Sequence, residues 1–148
     1  KHADRLHATP AFGRWLARAG AELAGDADII APVPLHWIRL ALRRYNQAAL
    51  LAQALAQATD RVCIPDLLKR TRRTPSQGKL GRGERQRNVA GAFRLRERYR
   101  ARIDGKRILL VDDVLTTGAT ARACTKALLT AGAAAVDVVT LARVVRAE

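Results

Sequence analysis

The feature that most constrains this chain is the segment ILLVDDVLTTGAT at residues 108–120. The apolar stretch that leads into it, residues 107–111, is typical of a strand buried in a parallel sheet. Two adjacent carboxylates, Asp112 and Asp113, follow, and beyond a short hydroxyl-rich loop the alanine-rich residues 121–131 predict a helix. The segment therefore predicts a strand–loop–helix corner with polar groups at the carboxyl end of a strand, where open α/β sheets bind ligands.

The loop and the predicted start of the helix offer the chemistry of a phosphate site. The first amides of a helix lack backbone partners and carry partial positive charge, so an anion can accept hydrogen bonds from them. Threonine hydroxyls can donate to the same anion, and a glycine lets the backbone approach it closely. The loop comprises Leu115, Thr116, Thr117, Gly118, Ala119 and Thr120, whose amides, threonine hydroxyls and glycine are expected to serve the anion.

The acidic pair is predicted to serve a sugar or a metal ion. Adjacent carboxylates repel each other unless a cation or a hydrogen-bond donor uses them. Asp112 and Asp113 could accept hydrogen bonds from ribose hydroxyls or hold Mg²⁺ through water.

Three alternatives compete for this segment. A Thr-Thr-Gly turn can be an ordinary helix cap, although capping alone does not account for the acidic pair. A response-regulator receiver domain also has a hydrophobic strand that ends in Asp-Asp, but there the pair opens the domain, whereas this chain stops at Glu148. A Walker-type loop requires G-x-x-x-x-G-K-S/T, which does not occur in this sequence.

Length and composition favour one folded domain, residues 1–148, because 49% of the residues are hydrophobic. The sequence shows no apolar run of about 20 residues and no secretory signal. Cys63 and Cys124 form neither a metal-binding spacing nor a disulfide framework, which is typical of a cytoplasmic protein. The chain lacks methionine and begins in what reads as the middle of an element, which indicates a fragment without its N-terminal segment.

The net charge of +14 is concentrated in residues 66–107, which hold 15 Lys/Arg and four Asp/Glu, a net +11. A basic cluster attracts polyanions such as nucleic acids and diphosphates; the alternative is a solvated, arginine-rich surface. Aromatic residues make up only 4% of the chain, which argues against extensive base stacking. Single-stranded DNA would therefore be bound mainly through its phosphates.

The other elements are predicted from hydrophobic periodicity and turn residues. Helices are expected over residues 10–24 and 47–59, the second capped by Asn46. Strands are expected over residues 28–33, 61–64, 67–71, 89–95 and 135–141. The polar residues 75–88, which include three glycines, are expected to form a flexible basic loop. Alternating strands and helices predict an α/β fold with a mainly parallel sheet flanked by helices.

Residues 111–120 resemble the signature of the type I phosphoribosyltransferases, which bind phosphoribosyl pyrophosphate (PRPP). Residues 33–36 and 43–48 are similar to a block of the ComF family, a group linked to competence and DNA uptake. A second ComF-like block comprises Gln77, Leu80, Arg85, Asn88, Ala92 and Phe93. Family members usually carry a cysteine-rich, zinc-binding N-terminus, which this sequence does not contain. The resemblance spans nearly the whole chain from Ile29 and implies a type I phosphoribosyltransferase-like fold.

The resemblance also implies roles for residues outside the corner. The loop after the first core strand, which begins with Pro34 and Leu35 and runs to about residue 39, matches the position at which the fold binds pyrophosphate. Residues 74–88 match the flexible lid of the fold, and Arg85 on this lid would neutralise pyrophosphate charge. The alternative for Arg85 is a solvated loop residue that contributes little.

Functions of different classes follow from the resemblance. In the first, a phosphoribosyltransferase, a nucleophile attacks the anomeric carbon of PRPP with Mg²⁺ present and expels pyrophosphate. In the second, a non-catalytic module holds PRPP or a nucleotide and binds single-stranded DNA through residues 66–107. A third role, docking to competence proteins, rests on the family alone.

Overall fold

The computed structural model describes residues 15–16, 18–35, 46–71 and 89–144. The strands are β1 (Ile29–Pro32), β2 (Val62–Cys63), β3 (Leu68–Arg70), β4 (Phe93–Leu95), β5 (Arg107–Leu115) and β6 (Ala135–Arg143). The helices are α1 (Ala21–Asp26), α2 (Gln47–Thr59), α3 (Arg100–Ile103), which follows a 3₁₀ turn at Glu97–Tyr99, and α4 (Ala119–Thr130). The predicted loop at residues 75–88 lies outside the described residues.

The main sheet has the strand order β2-β1-β5-β6, and all its described pairings are parallel. The strand with the acidic pair, β5, lies inside this sheet, between β1 and β6. A second sheet is formed by β3 and β4, which pair antiparallel. The predicted mainly parallel α/β architecture is therefore confirmed. No helix in the described part of the chain is long and apolar enough to cross a membrane.

Two hydrophobic clusters cover the two faces of the main sheet. On one face Leu51 and Leu55 of α2 pack with Leu109 and Val111 of β5. On the other face Leu128 of α4 belongs to a cluster that also contains Ile108 and Leu110 of β5, together with residues of β3 and β4. Residues of β5 alternate between the clusters, as period-two side-chain geometry requires. The strand is thereby fixed from both sides up to the acidic pair.

Asn46 begins α2 as the sequence predicts. Its Oδ1 accepts a hydrogen bond from the Ala48 amide at 3.1 Å, and its Nδ2 donates to the Val33 carbonyl at 3.4 Å. The helix ends at Thr59, where Asp60 adopts a left-handed conformation with φ of 52°. The cap also links the start of α2 to the segment that leaves β1, because Val33 directly follows that strand.

Several element boundaries differ from the sequence-based expectation. The strand β5 continues four residues past Val111, to Leu115, because its pairing with β6 extends to Leu115 and Arg143. The helix α4 begins at Ala119, earlier than the expected residue 121. Of the strand predicted over residues 89–95, only Phe93–Leu95 is extended.

Two helical features also differ from expectation. Residues 97–103 are helical, although no helix is predicted there. In the described part of the predicted helix over residues 10–24, a turn occurs at Gly20, and α1 then continues to Asp26.

Candidate functional site

A three-residue loop, residues 116–118, joins β5 to α4 and forms the centre of the candidate site. Gly118 is the N-cap of α4 and has a φ of 72°, a left-handed conformation that glycine adopts without steric cost. The Thr117 Oγ1 accepts a long hydrogen bond, 3.4 Å, from the Ala119 amide. Thr116 is exposed, and Thr120 is half-buried. A helix start with weakly satisfied amides and nearby hydroxyls can accept an anion.

Arg122, in the second turn of α4, folds back onto this loop. Its Nη2 donates to the Thr117 carbonyl at 3.0 Å. A Cβ atom added to Gly118 would lie 3.0 Å from Arg122 Nη1, which is tighter than ordinary van der Waals contact. Glycine is therefore favoured at residue 118 mainly by its conformation, and a side chain there would also displace the Arg122 guanidinium slightly. Arg122 is absent from the sequence-based site; the available signal was a basic residue four positions after the loop glycine.

The acidic pair lies within β5, at the point where that strand loses one of its neighbours. Pairing with β1 ends at Val111, whereas pairing with β6 continues past Asp112. Two local side-chain hydrogen bonds are added at this point: the Asp113 amide donates to Asp112 Oδ1 at 2.9 Å, and the Val114 amide donates to Asp113 Oδ1 at 2.8 Å. Both carboxylates are thus held against the backbone at the open end of β1.

The carboxyl group of Asp112 lies in an environment that disfavours its charged form. Burial and, second, the negative charge of Asp113 raise the pKa of the Asp112 carboxyl from 3.8 to about 7. The hydrogen bond from the Asp113 amide opposes this rise in pKa only in part. A cation or a hydroxyl donor at this position would stabilise the carboxylate and lower the pKa of Asp112.

The acidic pair fits Mg²⁺ by its chemistry. Hard cations prefer oxygen ligands, and Mg²⁺ in phosphate sites is usually held by one or two carboxylates, with phosphates and water completing its shell. Within the described residues no group of three or more His, Cys, Asp or Glu side chains could hold a metal ion. Asp112 and Asp113 would therefore share such an ion with ligand oxygens and water, and would not enclose it alone.

The predicted pyrophosphate residues, Pro34 and Leu35, lie at the same end of the sheet as the corner. Pro32 pairs with Val111, so the chain leaves β1 beside the residues that precede the acidic pair. Both Pro34 and Leu35 are half-buried. The structure thus brings this segment and the corner together at the carboxyl ends of two neighbouring strands. Arg85 lies outside the described residues.

A groove of about 590 Å³ runs beside the corner, between α4 and β6. Leu115, Gly118 and Arg122 line its end nearest the loop. Lys126 and Leu129, one and two turns further along α4, line the remainder together with Val138 of β6. The acidic pair does not line this groove, so we place the candidate site at the loop and the strand ends.

A family model described as the phosphoribosyl transferase domain matches residues 45–147, which is most of the chain. The chain therefore belongs to the phosphoribosyl transferase domain family. This result confirms the fold class inferred from the signature at residues 111–120.

Curated relatives extend the comparison to competence proteins. The chain is 37% identical over 116 residues to Competence protein F of Haemophilus influenzae, covering 78% of this chain and 50% of that protein. It is 40% identical over 117 residues to DNA utilization protein YhgH of Escherichia coli, covering 78% of this chain and 49% of that protein. The chain thus spans about half the length of these relatives. The predicted resemblance to the ComF family is confirmed.

Among solved structures, the fold is similar to that of glutamine PRPP amidotransferase from Bacillus subtilis, determined in complex with ADP and GMP. The TM-score is 0.61 at 24% sequence identity, and the match covers 90% of this chain and 26% of the other. At this level of identity the similarity establishes the fold alone.

Proposed function

We propose that this domain binds PRPP, with a phosphate on residues 116–118 and the start of α4, and with the ribose hydroxyls facing Asp112 and Asp113. The observation that carries the proposal is the junction at Gly118. There a glycine in the left-handed conformation begins α4 directly after a hydroxyl-rich loop. This loop follows β5, the strand that carries the half-buried acidic pair. This combination supplies ribose acceptors and anion donors within one short segment, residues 112–119.

The charge of the ligand supports a role for Mg²⁺ in the same proposal. PRPP brings a phosphate and a diphosphate toward two carboxylates, which would repel them. A divalent cation shared by the acidic pair and the diphosphate would offset this repulsion. Pro34 and Leu35 would flank the diphosphate, because they leave the sheet beside the acidic pair.

Calorimetry with PRPP tests binding directly. The wild-type chain is expected to bind PRPP saturably with Mg²⁺ and more weakly when the metal is chelated. Asp112→Asn/Asp113→Asn should fold and lose most of this affinity. The matched control is Asp26→Asn/Asp60→Asn, which removes two exposed carboxylates at the ends of α1 and α2. Equal affinity in the two double variants would refute the ligand role, and unfolding of the first would make the carboxylates structural.

A second assay separates a transferase from a binding module. If the domain is an enzyme, nitrogen nucleophiles should release pyrophosphate from PRPP, because the site would position the anomeric carbon and stabilise the leaving charge. Pyrophosphate release is measured across a panel of nucleobases and amines. Turnover with any acceptor identifies a phosphoribosyltransferase, whereas saturable binding without release identifies a ligand-binding module.

A second function, binding of single-stranded DNA, is favoured by the surface of the β3–β4 sheet. Lys69 and Arg94 lie directly opposite each other in this sheet, and both are exposed. Like charges directly opposite each other repel, and a bound phosphate backbone would reduce this repulsion. Close by, Arg96 and Arg98 share a single carboxylate, that of Asp66. The names of the relatives, which refer to competence and DNA utilization, also support this function.

A titration of fluorescent oligothymidine at about 0.15 M salt tests DNA binding. Affinity should fall with salt at a log–log slope of roughly −0.7 per phosphate neutralised. Lys69→Glu/Arg94→Glu should weaken binding and flatten that slope, whereas the control Arg122→Glu/Lys126→Glu makes the same charge change on α4 and should leave most of the affinity. Without saturable binding at micromolar protein, the basic surface has no role in DNA binding, which would favour docking to competence proteins.

A further inference from the structure

The contact between Arg122 and the loop has a geometric consequence for phosphate binding. The guanidinium reaches back across one turn of α4 and donates to the Thr117 carbonyl at 3.0 Å. In a trans peptide unit the carbonyl and the following N–H point in opposite directions. Holding the Thr117 carbonyl on the Arg122 side therefore directs the Gly118 amide to the other side of the loop.

We propose that Arg122 is a positioning residue that orients the Thr117–Gly118 peptide so that the Gly118 amide faces a bound phosphate. The inference rests on the proposed function, because it assigns a role to one residue within that phosphate site. Arg122 acts through the backbone and does not itself have to touch the ligand. It is suited to this role because its planar, permanently charged fork makes hydrogen bonds of fixed direction.

The conformation of Gly118 makes such an anchor necessary. A glycine with positive φ can rotate its flanking peptides more freely than any other residue, so the loop does not fix its own amide direction. The backbone of α4 fixes only the far side of Gly118, whose carbonyl accepts from the Arg122 amide at 2.9 Å. Arg122 therefore holds both peptides that flank Gly118, one through its side chain and one through its backbone amide.

The test compares Arg122→Gln with Lys126→Gln, using ribose 5-phosphate as the probe. Lys126 lies one turn further along α4, is exposed and lines the same groove, so its replacement removes an equal charge from the same surface. Arg122→Gln should weaken ribose 5-phosphate binding about tenfold, the effect of one charge-assisted hydrogen bond. Lys126→Gln should change it less than about twofold. Arg122→Lys, which keeps the charge, should fall between wild type and Arg122→Gln.

A second readout follows the loop without ligand. The Gly118 amide resonance in ¹⁵N-labelled protein should shift and broaden in Arg122→Gln and stay unchanged in Lys126→Gln. An equal loss of affinity in the two variants would mean that only the charge of Arg122 matters, which would overturn the proposal. An unchanged Gly118 resonance in Arg122→Gln would overturn it as well. A wild-type protein that does not bind ribose 5-phosphate would refute the proposed function, while the Gly118 resonance would still decide the role of Arg122. If Arg122→Gln does not fold, the same two measurements are made on Arg122→Lys.

Discussion

Asp112 stores unfavourable electrostatic energy in the ligand-free protein. It is half-buried, and its carboxyl lies beside that of Asp113, so ionising both groups costs energy that a surface aspartate avoids. Such conflicts persist in folded proteins where a ligand relieves them. This cost should appear in the pH dependence of the free energy of unfolding, because a pKa that differs between the folded and unfolded states makes stability depend on pH.

We expect Asp112→Asn to stabilise the domain at neutral and alkaline pH but not at acidic pH. The pKa of Asp112 is raised on folding, so its contribution favours the folded state fully below pH 3.8 and is lost as the pH rises through about 7. The free energy of unfolding of the variant should match that of wild type near pH 4 and should exceed it by on the order of 1–3 kcal/mol above pH 7. Urea unfolding across this range measures the difference. Asp60→Asn, at an exposed position, is the control for the loss of a carboxylate. A flat pH profile for Asp112→Asn would contradict the assignment.

Gly118 allows a similar comparison between two glycines. Gly118→Ala places a side chain at positive φ and 3.0 Å from Arg122, so it should lower the free energy of unfolding by about 1–2 kcal/mol. Gly25→Ala, inside α1, meets no atom within 4 Å and should raise it by about 0.5–1 kcal/mol. Thermal or urea unfolding of the two variants checks the opposite signs. Stabilisation by alanine at residue 118 would rule out the left-handed conformation.

The elements around the site differ in how well their bounds could be predicted from the sequence. The cap at Asn46 and the extent of α2 could be predicted, because capping chemistry and apolar spacing act within a few neighbouring residues. The end of β5 could not, since aspartate disfavours strands and the sequence does not show that β6 pairs with the strand as far as Leu115. Arg122 was missed for the same reason, because its contact with Thr117 exists only once the loop has turned.

The start of α2 provides a test of local determination. Asn46→Ala removes both the acceptor for the Ala48 amide and the donor to the Val33 carbonyl, so it should destabilise the domain by about 1–2 kcal/mol. Asn46→Asp keeps the acceptor and should recover most of this loss. Urea unfolding of both variants, with exposed Gln53→Ala as the control within α2, measures the difference. Equal destabilisation by alanine and aspartate would mean that the bond to Val33, and not the cap, matters.

In the molecule as a whole, the main sheet separates two hydrophobic clusters, to which β1, β5 and β6 contribute residues on opposite faces. Ile30 lies in the cluster under α2, and Ile103 lies in the cluster under α4. Both side chains are fully buried. Since the sheet lies between them, changes in one cluster should be felt weakly in the other.

We therefore expect Ile30→Val and Ile103→Val to act additively. Each should lower the free energy of unfolding by about 0.5–1.5 kcal/mol, and the double variant should equal the sum within roughly 0.5 kcal/mol. A double-mutant cycle in urea measures the coupling. As a positive control, Ile103→Val combined with Leu128→Ala, both in the α4 cluster, should depart from additivity. Strong coupling between Ile30 and Ile103 would show that the two clusters behave as one core.

The register of β1 has a consequence for how the protein is made. Asp28, immediately before β1, accepts a hydrogen bond from the Arg107 amide, 79 residues later in the chain. All four residues of β1 are buried. One of the two strands that pair with it, β5, begins at Arg107. At about 5–20 residues per second, a ribosome needs roughly 4–16 s to synthesise the intervening chain. During this time the apolar strand β1 is not paired with β5. We therefore expect the nascent chain to depend on chaperones to avoid aggregation until β5 has been synthesised.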